Sequence, residues 1–416
     1  MSRIAVIGSG ISGMSAAYYL SRKHDVWLFE REPRLGGHTN TVVVESSVGP
    51  LPIDTGFIVH NDRTYPNLVR LFADLNIQTQ PSDMSFSVLC RRTGLEFSSR
   101  GALGFFAQRR NLLRPRHYRL FLEILRFNRE APQLLDSPEG PSLTLSEYLD
   151  LNRFSHHFRE NYLYPMASAV WSTALERIGS FPAATLIRFF HNHGMLGVYT
   201  HPKWKAIRGG AHEYIPLLTR PYRERVITAA NLLGVRRSDA GGVLQFADRP
   251  AMTFDEVVFA CNGPRTLALL EDATPAEREV LGSFQVNRNE TWLHTDSRLL
   301  PRRRNARASW NYHLSENGHP GVAVTYHMNR LQSLAVREDY CVTLNPCGAV
   351  EESKILRKMV YEHPLYTLEA IRAQQRWNEI SGRNRTHFCG AYWFYGFHED
   401  GLNSALRVAR ALGVSC

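Results

Sequence analysis

An α/β fold in two interleaved domains is what this 416-residue sequence predicts. Three observations lead there. A strand, a glycine-rich turn, a helix and a second strand open the chain. Short strands with Asp and Gly turns return near its middle. Between and after them lie stretches of different texture. The length exceeds what one core usually serves. A composition of 44% hydrophobic and 21% charged residues excludes a disordered or fibrous chain.

The opening run is "RIAVIGSGISGMSAAYYLSRKHDVWLFERE". Ile4 to Ile7 reads as a short buried strand, Met14 to Ser21 as helix, and Val26 to Phe29 as a second strand ending in Glu30. The turn between the first two, Gly8-Ser9-Gly10-Ile11-Ser12-Gly13, has the form G-x-G-x-x-G. Gly8 permits a tight turn, Gly10 lets the backbone approach a pyrophosphate, and Gly13 lets the helix pack close to the sheet. The helix N-terminus, with Ser12 in its first turn, offers N–H groups and a partial positive charge to phosphates. Glu30 stands where a carboxylate can accept both hydroxyls of an adenosine ribose, with Arg31 beside it. A bare G-x-G-x-x-G is weak. Flanked by strand, helix and acid in this order, it marks a Rossmann-type unit that binds ADP-ribose.

The chain continues Arg34-Leu35-Gly36-Gly37-His38-Thr39. A second glycine pair just past the ribose acid is not needed for NAD. It suits a ligand that runs on past the pyrophosphate, as the ribityl arm of FAD does. With these residues the chain resembles the flavin-containing amine oxidase superfamily, which includes phytoene desaturases and protoporphyrinogen oxidases. The resemblance implies FAD, held noncovalently or, as the alternative, linked covalently at His398, with Gly36, Gly37, His38 and Thr39 in contact with it. His38 stands where an Arg is common. In "LPIDTGFIVHN", residues 51–61, the resemblance implies that Gly56, Phe57 and Ile58 line the isoalloxazine while Asp54 holds the turn. From the residues alone, Asp54-Thr55-Gly56 is only a turn.

Near the C-terminus "FCGAYWFYGFHEDGLNSALRVARALG" sets Gly390, an aromatic cluster and Gly396 before a run of helical spacing from about Glu399. Such a helix start presents N–H groups at the positive end of a dipole. The resemblance implies that Phe397, His398 and Glu399 meet the flavin edge, where this terminus favours the reduced ring. Read alone, Glu399 is an ordinary first-turn acid. In the middle, residues 204–263 carry the pair Gly209-Gly210, a helix and a run of short strands. There the resemblance implies a backbone contact from Leu232 to the adenine.

The expected organisation is an FAD-binding domain in three parts (1–79, 204–275 and 381–416) with an α+β substrate domain in two (80–203 and 276–380). The first substrate segment is rich in Arg, Phe, Leu and Tyr at helical spacing; the second alternates like strands.

For chemistry the chain has few amines. Its five lysines are Lys23, Lys203, Lys205, Lys354 and Lys358. Amine oxidation in this superfamily commonly uses a lysine near the flavin, and the comparable strand "NRNETWLHTD" has none. No CxxC, metal-ligand cluster or nucleophile–base pair is visible, so no metal is expected. The flavin would carry the redox step, exchanging hydride with the substrate. His294, His327 and Tyr326 are candidate proton acceptors, and Tyr395, with Trp393, would pack beside the ring. A hydrogen-bonded structural role fits each histidine as well. "TWLHTD", "SWNYH", "VTYHMNRLQ", "VTLNP" and "CGAYWFYGFHEDG" resemble a bacterial group of predicted NAD/FAD-binding proteins, often found with lipid-modifying enzymes of the cyclopropane-fatty-acid type. That implies an acyl-chain substrate, a desaturase- or saturase-like reaction and a lipid-modifying partner enzyme. Two alternatives stay open: an amine or porphyrinogen-type oxidase, and a structural flavoprotein that assists a partner at the membrane.

The net charge of +10 comes almost wholly from arginine. "FFAQRRNLLRPRHYRLFLEILRF", residues 105–127, and "LPRRRNAR", residues 300–307, concentrate it. Two readings apply: a solvated helix face whose arginines cover apolar surface, or an amphipathic contact with anionic headgroups. No nucleic-acid-binding motif is present. The six scattered cysteines (Cys90, Cys261, Cys341, Cys347, Cys389 and Cys416) fit reduced thiols. No apolar run reaches membrane-spanning length, and Ile4 to Ile7 reads as a strand, not a signal-peptide core. The expectation is a cytoplasmic protein with peripheral contact to the inner membrane.

Overall fold

Strand Arg3–Ile7 is apolar on both faces, with Ile4, Ala5 and Val6 fully buried, and so takes the centre of a sheet covered on two sides. In the computed structural model, which describes residues 1–90, 93–138, 140–171, 175–197, 202–314, 323–346 and 350–415, that sheet is parallel and five-stranded. Its order is Val226–Ile227, Asp25–Phe29, Arg3–Ile7, Glu256–Phe259, Thr386–Phe388. Ile4 lies opposite both Val26 and Glu256. Cys347 and Cys416 fall outside the described residues.

The first helix runs Ile11–Leu20, three residues earlier than expected. The glycine turn is itself the first helical turn, since the Met14 N–H already donates to the Gly10 carbonyl at 3.0 Å. Helix His398–Ala411 packs beside it, on the same side of the sheet. A three-stranded antiparallel meander, Leu232–Ser238, Gly241–Phe246 and Met252–Phe254, sets Phe246 and Phe254 against Phe29.

A second sheet of seven strands has the order Ile355–Leu365, Gln285–His294, Cys341–Leu344, Ala323–His327, Trp310–Leu314, Phe86–Cys90, Leu95–Ser98. Its pairs are antiparallel except for Trp310–Leu314 beside Phe86–Cys90. Helices Pro115–Glu130, Leu145–Leu151, Tyr164–Trp171 and Ala183–Asn192 gather around a separate apolar cluster that includes Leu120, Phe127, Leu163, Trp171 and Phe190. Leu145–Leu151 starts at a reciprocal cap between Thr144 and Glu147. Among the described residues no helix is long and apolar enough to cross a membrane.

Candidate functional site

The carboxyl ends of strands Arg3–Ile7, Asp25–Phe29 and Glu256–Phe259 open into one cavity of about 790 Å³, and the seven-stranded sheet contributes Trp310, Tyr326 and Leu344 to its far wall. This is where open parallel sheets bind ligands, and the size is that of a small-molecule or cofactor site.

Backbone builds the first part of the cavity. Gly8 adopts a φ of +105°, which L side chains rarely adopt. A Cβ on Gly13 would lie 1.8 Å from the Gly8 carbonyl oxygen, so only glycine lets the helix sit this close to the turn. A Cβ on Gly10, in contrast, would meet nothing within 4 Å; the turn faces the cavity there. No side chain caps the first turn of Ile11–Leu20 and no acid lies in it. The start of His398–Ala411 comes alongside, since a Cβ on Gly401 would touch the Ile11 and Ser12 side chains. Two helix N-termini therefore come together in one region, and that of Ile11–Leu20, uncapped and free of acids, is a donor set suited to phosphate.

Glu30 lines the cavity from the end of the second strand. Its Oε2 accepts from the Ser9 N–H at 2.8 Å and the Ser9 hydroxyl at 2.6 Å, and its Oε1 accepts from the Glu32 N–H at 2.9 Å. Of about four acceptor sites on a carboxylate three are taken, which leaves one, on Oε1, for a ribose hydroxyl. Ser9, which the sequence reading passed over, also accepts from the Gly36 N–H at 3.2 Å and so ties the two glycine turns together. Its signal was its place inside the motif. Arg31, Gly36, Gly37, Ser12 and Leu232 all line the cavity. The Leu232 N–H is already donated to the Ala230 carbonyl at 2.9 Å, so any backbone contact to adenine from Leu232 itself would have to come from its carbonyl. His38 carries no charge: burial, followed by the Arg34 guanidinium, lowers it to about 4. Arg34 is the cation at this turn, donating from Nη2 to the Gly37 carbonyl at 2.9 Å.

Further along, Gly56, Phe57, Ile58, Gly390, Gly396, Phe397 and His398 line the wall. The Phe57 and His398 rings stack with centroids 3.6 Å apart. His398 Nε2 pairs with the Thr39 hydroxyl at 2.9 Å, and Thr39 pairs with Tyr214 at 2.5 Å. Thr39 thus stands behind the wall, steadying His398, and is not itself a lining residue. Burial holds the His398 imidazole well below its ordinary pKa. Asp54 accepts from the Thr41 hydroxyl at 2.6 Å and the Ala211 N–H at 2.8 Å, joining three segments under this wall.

Several expectations need correction. Glu399 does not line the cavity. Its carboxylate accepts from the Asn67 N–H at 3.1 Å, the Asn67 side chain at 3.0 Å and the Leu68 N–H at 2.8 Å, satisfying orphan donors at the start of helix Pro66–Asp74. His294 is fully buried inside the seven-stranded sheet, where Nε2 pairs with the Thr343 hydroxyl at 2.7 Å and Nδ1 accepts from the Asp296 N–H at 3.0 Å. With both nitrogens engaged away from the cavity, it cannot take a proton there. His327 is likewise turned aside, with Nε2 on the Asp339 carboxylate at 2.9 Å. Tyr326 and Tyr395 do reach the cavity, and burial raises the pKa of both phenols.

Alongside His38, His363 and His398, the cavity is lined by a histidine that the sequence did not single out. His193 follows helix Ala183–Asn192 and donates from Nδ1 to the Phe189 carbonyl at 2.9 Å. That bond fixes the tautomer and leaves Nε2 as an acceptor. Its ring stacks on Phe189 at 3.7 Å, and Phe189 in turn stacks on Phe397 at 4.6 Å. Burial is the first cause that lowers its pKa to about 4. Its ring neighbours are Tyr65, Phe189, Trp204 and Phe397, and the same cavity is lined by Met84, Phe86, Met166, Val170, Trp171 and Met195.

Residues 11–322 match the family of flavin containing amine oxidoreductases. The chain belongs to that family. It is accordingly an FAD-dependent oxidoreductase, and the uncapped start of helix Ile11–Leu20, the open face of Gly10 and the acid at Glu30 fit that cofactor. Solved structures of the same fold include cyclohexylamine oxidase from Brevibacterium oxydans IH-35A, with TM-score 0.70 and 14% identity over 99% of this chain and 98% of that one. Putrescine oxidase bound to putrescine gives TM-score 0.71 and 13% identity over 99% and 98%. The CLA-producing fatty acid isomerase from P. acnes gives TM-score 0.72 and 15% identity over 99% of each chain. At such identities the likeness is one of fold. No curated protein matches the sequence.

Proposed function

We propose that this family member oxidises or reduces an apolar, acyl-chain substrate, in the manner of a desaturase or saturase. The observation that carries the reading is the lining of the cavity beyond Phe397: methionine, aromatic and aliphatic side chains, with no lysine, aspartate or glutamate among the described residues there. The acids that line the cavity, Glu30, Glu32 and Glu362, lie at the nucleotide-binding turns or on the strand beside His38. An ammonium substrate would find no countercharge in the apolar compartment, whereas a hydrocarbon chain loses only water. Methionines adapt to a flexible chain. A fatty acid isomerase shares the fold, which supports an acyl ligand in such a compartment.

When bound, FAD supplies two-electron redox chemistry. The chain's own residues orient the substrate, exclude water and handle the proton. His193 is the proton acceptor on this reading: neutral near pH 7, fixed in tautomer by Phe189, with Nε2 available at the cavity wall. On the same reading the protein works in the cytoplasm beside a lipid-modifying partner enzyme.

The test is an anaerobic titration of the FAD-loaded protein with acyl lipids and, separately, with aliphatic amines. Change of the flavin spectrum with an acyl lipid in either redox direction supports the reading. A response to amines alone overturns it in favour of an amine oxidase.

A further inference from the structure

Helix Pro115–Glu130 carries two apolar stripes. One, with Leu120 and Phe127, packs inward on the cluster that also holds Met166 and Trp171. The other, Tyr118, Phe121, Leu122 and Leu125, has the spacing i, i+3, i+4, i+7 and faces solvent. Just before the helix, Leu113 is 87% exposed, with Leu112 beside it, and Leu103 on the preceding short helix is 78% exposed. Seven of the fifteen exposed large hydrophobic residues among those described fall between residues 103 and 125. Apolar residues scattered singly need no explanation; concentrated like this, they mark a contact surface.

The charge around them has one sign. Residues 101–122 contain five arginines (Arg109, Arg110, Arg114, Arg116 and Arg119), all exposed, and no acid. The first acid, Glu123, is turned inward, accepting from the Ser155 N–H at 2.8 Å and its hydroxyl at 2.6 Å. The fold then adds a second basic segment from far along the chain. Turn Arg304–Ala306 packs against helix Gly101–Phe105, with the Ser98 hydroxyl donating to the Asn305 carbonyl at 3.0 Å and Arg100 reaching the Arg307 carbonyl at 3.5 Å. This brings exposed Arg302, Arg303 and Arg304 to the same surface. The nearby acid Glu96 is again buried, under the Arg303 N–H at 3.0 Å.

We propose that the surface made by residues 101–125 and the turn at 302–304 docks on an anionic phospholipid bilayer. Exposed leucines and aromatics would enter the boundary between headgroups and acyl chains while the arginines meet lipid phosphates. A second copy of the chain is a poor occupant, because a two-fold contact would set arginine against arginine. The surface stands apart from the cavity, so the proposal does not depend on the substrate reading.

The test uses the full, FAD-loaded protein and co-sedimentation with vesicles of phosphatidylglycerol and phosphatidylethanolamine, against vesicles of phosphatidylcholine alone. Binding to the anionic vesicles that weakens with added salt is expected. The double substitution Leu113→Glu and Leu122→Glu should lower the partition coefficient by about 100-fold or more. Arg303→Ala and Arg304→Ala should each lower it about fivefold, with FAD content unchanged in every variant. Equal binding to both vesicle types, or binding that the leucine substitutions leave intact, overturns the proposal. So does a dimer, seen by analytical ultracentrifugation, that these substitutions dissociate while vesicle binding was absent from the start.

Discussion

The cavity has two ends built on different principles. At the nucleotide end the wall is backbone: the turns at Gly8–Gly13 and Gly36–Gly37 and the first turns of two helices. At the substrate end it is side chain, with Met166, Trp171, Phe189, His193 and Tyr326 brought from separate segments of the chain. A backbone wall restricts residue type position by position, because a single Cβ collides. A side-chain wall asks only for volume and polarity, which many residues meet. The nucleotide end should therefore break at one atom, while the substrate end should tune.

Gly13 gives the sharpest way to break that contrast. Gly13→Ala places a Cβ 1.8 Å from the Gly8 carbonyl oxygen, and a backbone atom has little room to yield. The expected product is a folded protein purified without flavin colour that takes up no added FAD. Gly282→Ala is the control, since a Cβ there would meet only Leu267 at 3.9 Å, and it should retain its FAD. A yellow Gly13→Ala protein would mean that the nucleotide end tunes as well.

His193→Gln probes the other end. It should lower kcat by about 10²- to 10⁴-fold while FAD content stays that of the parent. Because the parent imidazole protonates only near pH 4, its kcat should be flat across neutral pH and fall only as the solution approaches that value. Loss of FAD together with activity would make His193 a structural residue of the wall, and the two ends would no longer be separable.

The same contrast explains what was legible in the sequence. The glycine turn and Gly36–Gly37 could be read because local backbone geometry admits few residues there, Glu30 from its place at the end of the second strand and the C-terminal helix from its apolar spacing, whereas Gly56 was placed only through the family resemblance. His294 was misjudged because strand alternation gives two faces without saying which is covered; register with Cys341–Leu344 put it inside the sheet against Thr343. Glu399 looked like part of the flavin edge, yet its partners Asn67 and Leu68 lie more than 300 residues earlier in the chain. His193 was invisible for a similar reason: its role comes from Phe189 one turn back and Phe397 from the C-terminal segment. The two basic runs were visible, but only packing shows that they share a surface.

Glu30 should give an intermediate effect, on affinity and not on turnover. Its three protein donors address a charged acceptor that a ribose hydroxyl of bound FAD would share, and hydrogen bonds to charge are worth about 1.5–3 kcal/mol each. Glu30→Gln should weaken FAD binding by roughly 10- to 150-fold, measured by fluorescence titration of protein stripped of its flavin. An unchanged Kd would assign Glu30 to loop structure alone.

The mildest effect is expected from Asp54, beneath the nucleotide end. Its carboxyl is fully buried, with Oδ1 accepting from Thr41 and Ala211 and Oδ2 without a partner. Burial pushes its pKa up to about 7. A carboxyl raised in this way stabilises the fold while protonated: its contribution is complete below about pH 4 and is lost as pH rises through 7. Asp400, also raised to about 7 chiefly by burial, adds to the same slope. Buried His38, His60 and His193, each lowered to about 4, act in the opposite sense, with stability lost as pH falls from about 6.5 through that value. Asp54→Asn keeps an acceptor for Thr41 and Ala211 but cannot ionise. It should therefore raise Tm by about 2–4 °C near pH 8, reduce the decline between about pH 4 and pH 7, and leave the loss contributed by the histidines as it was. If that decline survives the substitution in full, Asp54 is already ionised in the folded protein, and the nucleotide end tolerates a buried charge that its geometry gives no means to pair.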